Sequence, residues 1–324
     1  MRVLVTGGTG FLGSHLVEAL LGEPGTEVFA LVRDPARPRW LRGVAGVRLL
    51  RGSLGEVPVL PEGLDCVYHL AGLTKTVRTS EYYSVNRDGT ANLLRALEGR
   101  PAGLRFVHVS SLAAVGPSGP GRGVTEDDPP RPVSAYGESK LQAEAEVLAR
   151  KDRFSVVVLR PGAVYGPRDE DFLEYFRWIR RGFRPVLGRR KSLSLVFSRD
   201  AVRATLLAGR AELPSGAVFN VAHPEPRGWE DIGRLAAHLL GRRPVPLPVP
   251  YWAARAAAAA SEGLARLTGG GLALLNADKV RQMRPDAWVA DTGKARRELG
   301  FEAAYALERG LGDTIAWYLE KGLL

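Results

Sequence analysis

The chain has 324 residues, 45% hydrophobic and 25% charged, a balance that describes a globular protein long enough for two domains or for one sheet domain with a smaller lobe. Its single cysteine, Cys66, excludes an intrachain disulfide and a C-x-x-C metal cluster, and no apolar run reaches the ~18 residues of a membrane span. "MRVLVTGG" passes straight into a strand with no room for a signal peptide, so the expectation is a cytoplasmic protein with neither a bound metal nor a membrane partner.

A formal charge of +10 raises nucleic acid as a partner. The positive residues come as scattered pairs, such as Arg180 with Arg181 and Arg296 with Arg297, and not as a basic tail interleaved with aromatics. The expectation is therefore a solvated arginine-rich surface that helps attract a phosphorylated small molecule, with no nucleic-acid partner.

In chain order, "RVLVTG", "EVFALV", "VRLLRG", "CVYHLAG", "LRFVHVS" and "FSVVVLRPG" are short aliphatic runs of the kind buried on both faces of a parallel sheet. Between them "FLGSHLVEALLG", "YYSVNRDGTANLLRALEG" and "YGESKLQAEAEVLARK" carry helical periodicity. This alternation predicts an α/β fold, a doubly wound parallel sheet of Rossmann type, whose ligand site lies in the loops at the carboxyl ends of the strands. Beyond residue 162 the pattern loosens into a smaller, mainly helical lobe. The expected division is residues 1–162 with about 193–222 as the dinucleotide-binding domain, and about 163–192 with 223–324 as the substrate lobe. The glycine- and proline-rich stretch over 114–134 is expected to be a mobile flap over the site, and the alanine-rich helix after Tyr251 is expected to pack over the substrate cleft.

In "VTGGTGFLG", Gly7, Gly10 and Gly13 follow a strand and open a helix. Glycines there let the backbone turn tightly against a pyrophosphate, and the helix amino end adds roughly half a positive charge. At the end of the second strand a carboxylate would select NAD and an arginine NADP. Val32 and Arg33 stand there, with Arg37 and Arg39 following, so NADP(H) is favoured with NAD(H) as the alternative. Asp34 is the competing feature, able to pair with Arg33 or to reach the ribose. In "AYGESK", Tyr136 and Lys140 lie one helical turn apart, where an ammonium lowers the pKa of a phenol toward working pH.

These motifs, with "HLAG" at 69–72, "YYSVNRDGTANLL", "HVSSLAAVG", "LRPGAVYGP" and "DTGKARRELGF", make the chain resemble the extended short-chain dehydrogenase/reductase family. That group includes sugar-nucleotide epimerases and dehydratases, 3β-hydroxysteroid dehydrogenases and dihydroflavonol reductases. The resemblance implies a catalytic group of Ser111, Tyr136 and Lys140. Ser111 holds the substrate carbonyl, Tyr136 exchanges a proton with its oxygen, and Lys140 binds the nicotinamide ribose and depresses the tyrosine pKa. It also implies cofactor contacts from Gly7, Gly10, Phe11, Leu12 and Gly13, from Arg33, and from Ser53 and Leu54 after the third strand. Leu70, Ala71 and Gly72, then Asn86, Pro161 and Val164, complete that set beside Tyr136 and Lys140, and a homodimer is the family's usual assembly.

Departures from the family narrow the reaction. Leu112, Ala113 and Ala114 stand where dehydratases place an acidic pair, and Ser53 replaces the usual adenine-contacting acid. Ala163 and Leu193 stand where epimerases hold a diphosphate with asparagine and arginine, with Arg189, Arg190 or Arg199 as substitutes from nearby. Tyr165, Phe172, Phe176, Phe183 and Trp252 suit either an apolar substrate wall or core packing. The expected function is an NADP(H)-preferring oxidoreductase interconverting a ketone and a secondary alcohol on a non-nucleotide, hydrophobic small molecule. The alternatives are a nucleotide-sugar epimerase that retains its cofactor and a non-catalytic nucleotide-sensing protein.

Overall fold

All six apolar runs form strands: β1 (Arg2–Thr6), β2 (Glu27–Val32), β3 (Val47–Arg51), β4 (Cys66–His69), β5 (Arg105–Val109) and β6 (Ser155–Pro161). A seventh strand, Ala217–Val221, joins beside β6, giving the order Ala217–Val221, β6, β5, β4, β1, β2, β3 with every pairing parallel. The computed structural model describes residues 1–119, 121–186, 188, 191–267 and 275–324.

Strand alternation decides which side chains meet which helices. Val3 and Val5 point to one face, against Leu16, Val17 and Leu20 of helix α1 (Phe11–Leu21) and Ala201 and Ala204 of the Ser198–Arg210 helix. Leu4 points to the other, with Val67, Phe106 and Val156, against Leu93, Leu97 and Val147 of the Gly89–Leu97 and Ala135–Leu148 helices. Burial of each such Val or Leu side chain contributes about 1.5–3 kcal/mol. β3, at the edge, is only half covered, which is why its run mixes Val47 and Leu49 with Arg48 and Arg51.

A second core holds the smaller lobe together. Tyr165, Phe172 and Phe176 sit in it with Ile179, Leu311 and Tyr318, so these three aromatics are packing residues and not a substrate wall. The other two candidates for that wall are turned outward: Phe183 is 46% exposed and Trp252 73% exposed.

The described residues of the 114–134 stretch are tied to the rest of the fold and do not form a loose flap. Ser118 N donates to Ala287 O, Val124 N to Val289 O, Asp291 N to Val124 O and Arg131 N to Val115 O. The Glu126 carboxylate accepts from Asn220 N, and Asp128 takes both guanidinium ends of Arg122 at 2.7 Å. Glycine and proline set this segment's conformation, but several of its partners, Asn220, Ala287, Val289 and Asp291, come from distant parts of the chain. The Tyr251–Leu267 helix packs Ala254 and Ala258 on Val280 and sets Ala265 against Val77. Among the described residues no helix is long and apolar enough to cross a membrane, and no group of three or more His, Cys, Asp or Glu side chains could hold a metal ion.

Candidate active site

The carboxyl ends of β1, β4, β5 and β6 converge on one edge of the sheet. At β1, Gly7 adopts φ +74°, and Gly10 N donates to Gly7 O at 2.9 Å to close the turn. A side chain at Gly7 would strike the Ala71 backbone, and one at Gly13 would collide with the Gly7 carbonyl. Gly10 offers no side-chain cap, so the first amides of α1, from Phe11, Leu12 and Gly13, face outward with the helix's positive end. That cradle fits the pyrophosphate of a dinucleotide.

The next strand end is held by a threonine–histidine relay. His69 Nδ1 lies 2.7 Å from Thr6 Oγ1 and Nε2 lies 2.8 Å from Thr90 Oγ1. Thr90 spends its hydroxyl hydrogen on Asn86 O at 2.6 Å, so His69 Nε2 carries the ring proton and Nδ1 accepts from Thr6. Burial, with help from the Lys140 charge, pushes His69 down to about 3 and keeps the ring neutral. Thr6 Oγ1 then accepts from Ala71 N at 3.2 Å, while Leu70 N donates to Thr6 O. Asn86, in a π-helical turn (Tyr83–Asp88), accepts from Leu73 N at 2.7 Å and donates to Leu73 O and to Ser139 Oγ. A side chain on Gly72 would meet Asn86 Oδ1 and Lys140 Nζ, which places these three residues together.

Ser111 ends the β5 segment, and its hydroxyl accepts from Ala113 N at 3.1 Å. Ser134 caps the Ala135–Leu148 helix by accepting from Gly137 N, so Tyr136 and Lys140 project from its first two turns. The Ser111 hydroxyl lies near the Tyr136 phenol and favours its ionised form. Lys140 Nζ donates to Val109 O at 2.9 Å, on the strand that leads to Ser111. Ser111, Tyr136, Lys140 and Asn86 are therefore brought together, as the motifs predict.

One electrostatic expectation is corrected. Tyr136 is not pulled below its ordinary pKa: burial raises it, against partial relief from the Ser111 hydrogen bond and the charge of Lys279. Lys140 is itself pushed down to about 8 by burial, against the supporting charge of Glu144. Desolvation of the phenol outweighs the cation that favours its ionised form, and that cation is Lys279, while Lys140 is turned to the Val109 carbonyl.

Lys279 belongs to a cluster that spacing does not reveal. Lys75 and Lys279 both pair with Asp171, the latter at 2.7 Å. Burial alone would raise the Asp171 carboxyl, but the two ammonium groups outweigh it and hold it at about 2. Its neighbour Asp169 is pushed up to about 7 by burial and by the Asp171 charge. Asp278 accepts from Ala135 N at 2.8 Å and Tyr136 N at 3.1 Å, fastening the first turn of the tyrosine helix. Asn276 donates to Thr76 O and Tyr82 OH. Residues 75, 171 and 276–279 share no motif, so only the folded chain brings them to the site.

On the adenine side, Asp34 accepts from Ala36 N and lies 3.9 Å from Arg37, while Arg39 pairs with Glu170 at 2.8 Å. Arg33 is exposed at the end of β2 with no ion-pair partner among the described residues. Ser53 Oγ accepts from Glu56 N, and Leu54 packs on Gly89. Pro161 ends β6, and Val164 lies in the Ala163–Tyr165 strand that follows. Of the proposed substitutes for a diphosphate clamp, Arg199 is engaged by the Tyr305 hydroxyl at 3.3 Å and by Asp313 at 3.8 Å; Arg189 and Arg190 lie outside the described residues.

Residues 3–222 match the NAD dependent epimerase/dehydratase family. The chain belongs to that family and is an NAD(P)-dependent enzyme of the extended short-chain dehydrogenase/reductase type. It is 29% identical to the "Ceramide reductase" of Caulobacter vibrioides, over 99% of this chain and 96% of that one. It is 32% identical to the 4-hydroxy-2-methyl-3-oxo-4-farnesyl-3,4-dihydroquinoline-1-oxide ketoreductase of Stigmatella aurantiaca, over 96% and 95% of the two chains. Among solved structures it is similar to MoeE5 in complex with UDP-glucuronic acid and NAD, with TM-score 0.76 and 29% identity over 99% of this chain and 100% of that one.

Proposed function

We propose that this enzyme interconverts a ketone and a secondary alcohol on a hydrophobic, non-nucleotide small molecule, with NADP(H) as its preferred cofactor. The observation that carries the reading is the gathering of Ser111, Tyr136 and Lys140 at the strand ends beside the Gly7–Gly13 cradle. The nicotinamide dinucleotide, when bound, supplies or accepts hydride at the substrate carbon. Ser111 holds the carbonyl oxygen. Tyr136, kept protonated by burial, gives its phenolic proton to that oxygen in reduction and takes it back in oxidation. Lys140, charged below about pH 8, binds the nicotinamide ribose and offsets the phenolate. Asn86 holds the 70–73 loop against the cofactor. Residues 1–162 with about 193–222 bind the dinucleotide, the remainder forms the substrate lobe, and the enzyme works as a cytoplasmic homodimer.

The unpaired Arg33 supports NADP(H). Arg33→Ser should raise the KM for NADPH about 10- to 100-fold and leave that for NADH nearly unchanged, since a charge-assisted contact to the 2′-phosphate is worth about 1.5–3 kcal/mol. Steady-state kinetics with both cofactors reads this directly; an equal change for the two removes the assignment.

Apolar Ala163 and Leu193, and Arg199 drawn onto Tyr305 and Asp313, support a substrate without a diphosphate. Two relatives are named for a ceramide and for a farnesyl-bearing quinoline oxide. MoeE5, with UDP-glucuronic acid and NAD, favours the second reading, an epimerase retaining its cofactor. A panel of hydrophobic ketones and UDP-sugars, followed by reduced-nicotinamide absorbance and product analysis, separates them. Net cofactor oxidation with a ketone is expected; UDP-sugar conversion without net cofactor change selects the epimerase, and binding without turnover selects a sensor.

A further inference from the structure

A cavity of about 530 Å³ opens between the Phe183–Val186 strand, the Trp229–Leu239 helix and the turn at 241–244, and shares no residue with the site around Tyr136. It is lined by Arg184, Arg234, His238, Arg242 and Arg243. Arg234 is taken up by Asp231 at 2.7 Å and Glu230 at 3.6 Å. Arg242 and Arg243 have no carboxylate partner among the described residues. Arg184 is only 9% exposed, and its Nη1 is buried without a hydrogen-bond partner. The Tyr175 hydroxyl, also buried and unpartnered, packs with the Arg184 side chain against Gly233.

A guanidinium cannot shed its charge, and leaving Nη1 of Arg184 buried without a partner is costly, a cost that an anionic ligand would offset. Three unmatched guanidinium groups exceed what one carboxylate neutralises, and their planar forks match tetrahedral phosphate oxygens. From this we infer that the Arg184–Arg242–Arg243 cavity is a second ligand site that binds a phosphate group. Two sources carry that chemistry: a free phosphoanion, or a phospholipid headgroup whose chains would lie along Phe183, Val245 and Leu247, which are 46%, 64% and 41% exposed on the paired strands beside the cavity.

The test uses the full chain with saturating nicotinamide dinucleotide, so that the glycine cradle is filled. Pyrophosphate is titrated calorimetrically, and co-sedimentation is measured with phosphatidylcholine vesicles with and without phosphatidic acid. Binding in at least one arm is expected, weakened at least tenfold by Arg184→Met and several-fold by the Arg242→Ser/Arg243→Ser double variant, with cofactor affinity unchanged. Pyrophosphate binding assigns a free phosphoanion; binding only to phosphatidic acid vesicles assigns a headgroup. The double variant alters exposed residues and carries the test alone if Arg184→Met does not fold. No binding in either arm, or variants that bind like the parent, overturns the site.

Discussion

Replacing Tyr136 with phenylalanine should lower kcat by about 10²- to 10⁴-fold, the usual worth of a positioned general acid, while dinucleotide affinity stays within about twofold. The ring keeps its place beside Tyr82, with centroids 6.0 Å apart, and the helix stays fastened by Asp278 and Ser134. Only the phenolic hydroxyl beside Ser111 is lost. Turnover with the preferred ketone, paired with a cofactor titration, reads both quantities. A variant retaining most of its kcat would mean that the proton comes from elsewhere.

The second large effect is on stability. Glu144 and Arg160 form an ion pair at 2.7 Å with side chains only 1% and 6% exposed, joining the tyrosine helix to β6. Glu144→Leu leaves the guanidinium buried without its partner and should destabilise the fold by about 3–5 kcal/mol. Glu144→Leu/Arg160→Met, which removes both charges, should recover much of that loss. Urea midpoints of the parent, the two single variants and the double variant measure the coupling; additive losses would contradict it. Glu144 also supports the charge on Lys140 one turn earlier, so its removal should push Lys140 further below about 8 and weaken cofactor binding at that pH.

The parts of the molecule legible in sequence are those whose cause is local. Val3, Leu4 and Val5 read as a two-faced strand because alternation sends them to opposite helices, and Gly7 and Gly13 read as a phosphate cradle because no side chain fits there. Tyr136 and Lys140 share a helix, so their closeness follows from spacing. What sequence missed depends on contacts between distant segments. Asp171 draws in Lys75 and Lys279 from opposite parts of the chain, and Asp278 holds the tyrosine helix from more than 140 residues away. The 114–134 segment looked mobile because glycine and proline report conformation, whereas Val124 and Glu126 are held by Val289 and Asn220. For Tyr165, Phe172 and Phe176 the sequence left substrate wall and core packing both open, because an aromatic facing a core and one facing a cavity are spelled alike. The Tyr136 pKa went the other way because burial, invisible in spacing, outweighs a neighbouring charge.

In the proposed reaction hydride leaves the cofactor for good and reaches a ketone carbon while Tyr136 supplies the proton to its oxygen. Reduced cofactor carrying deuterium at the transferable position, incubated with the preferred ketone and the enzyme, tests this by mass spectrometry of the product. One deuterium on the new carbinol carbon per oxidised cofactor is expected. A product without the label, or label that stays on the cofactor while substrate is converted, would contradict it.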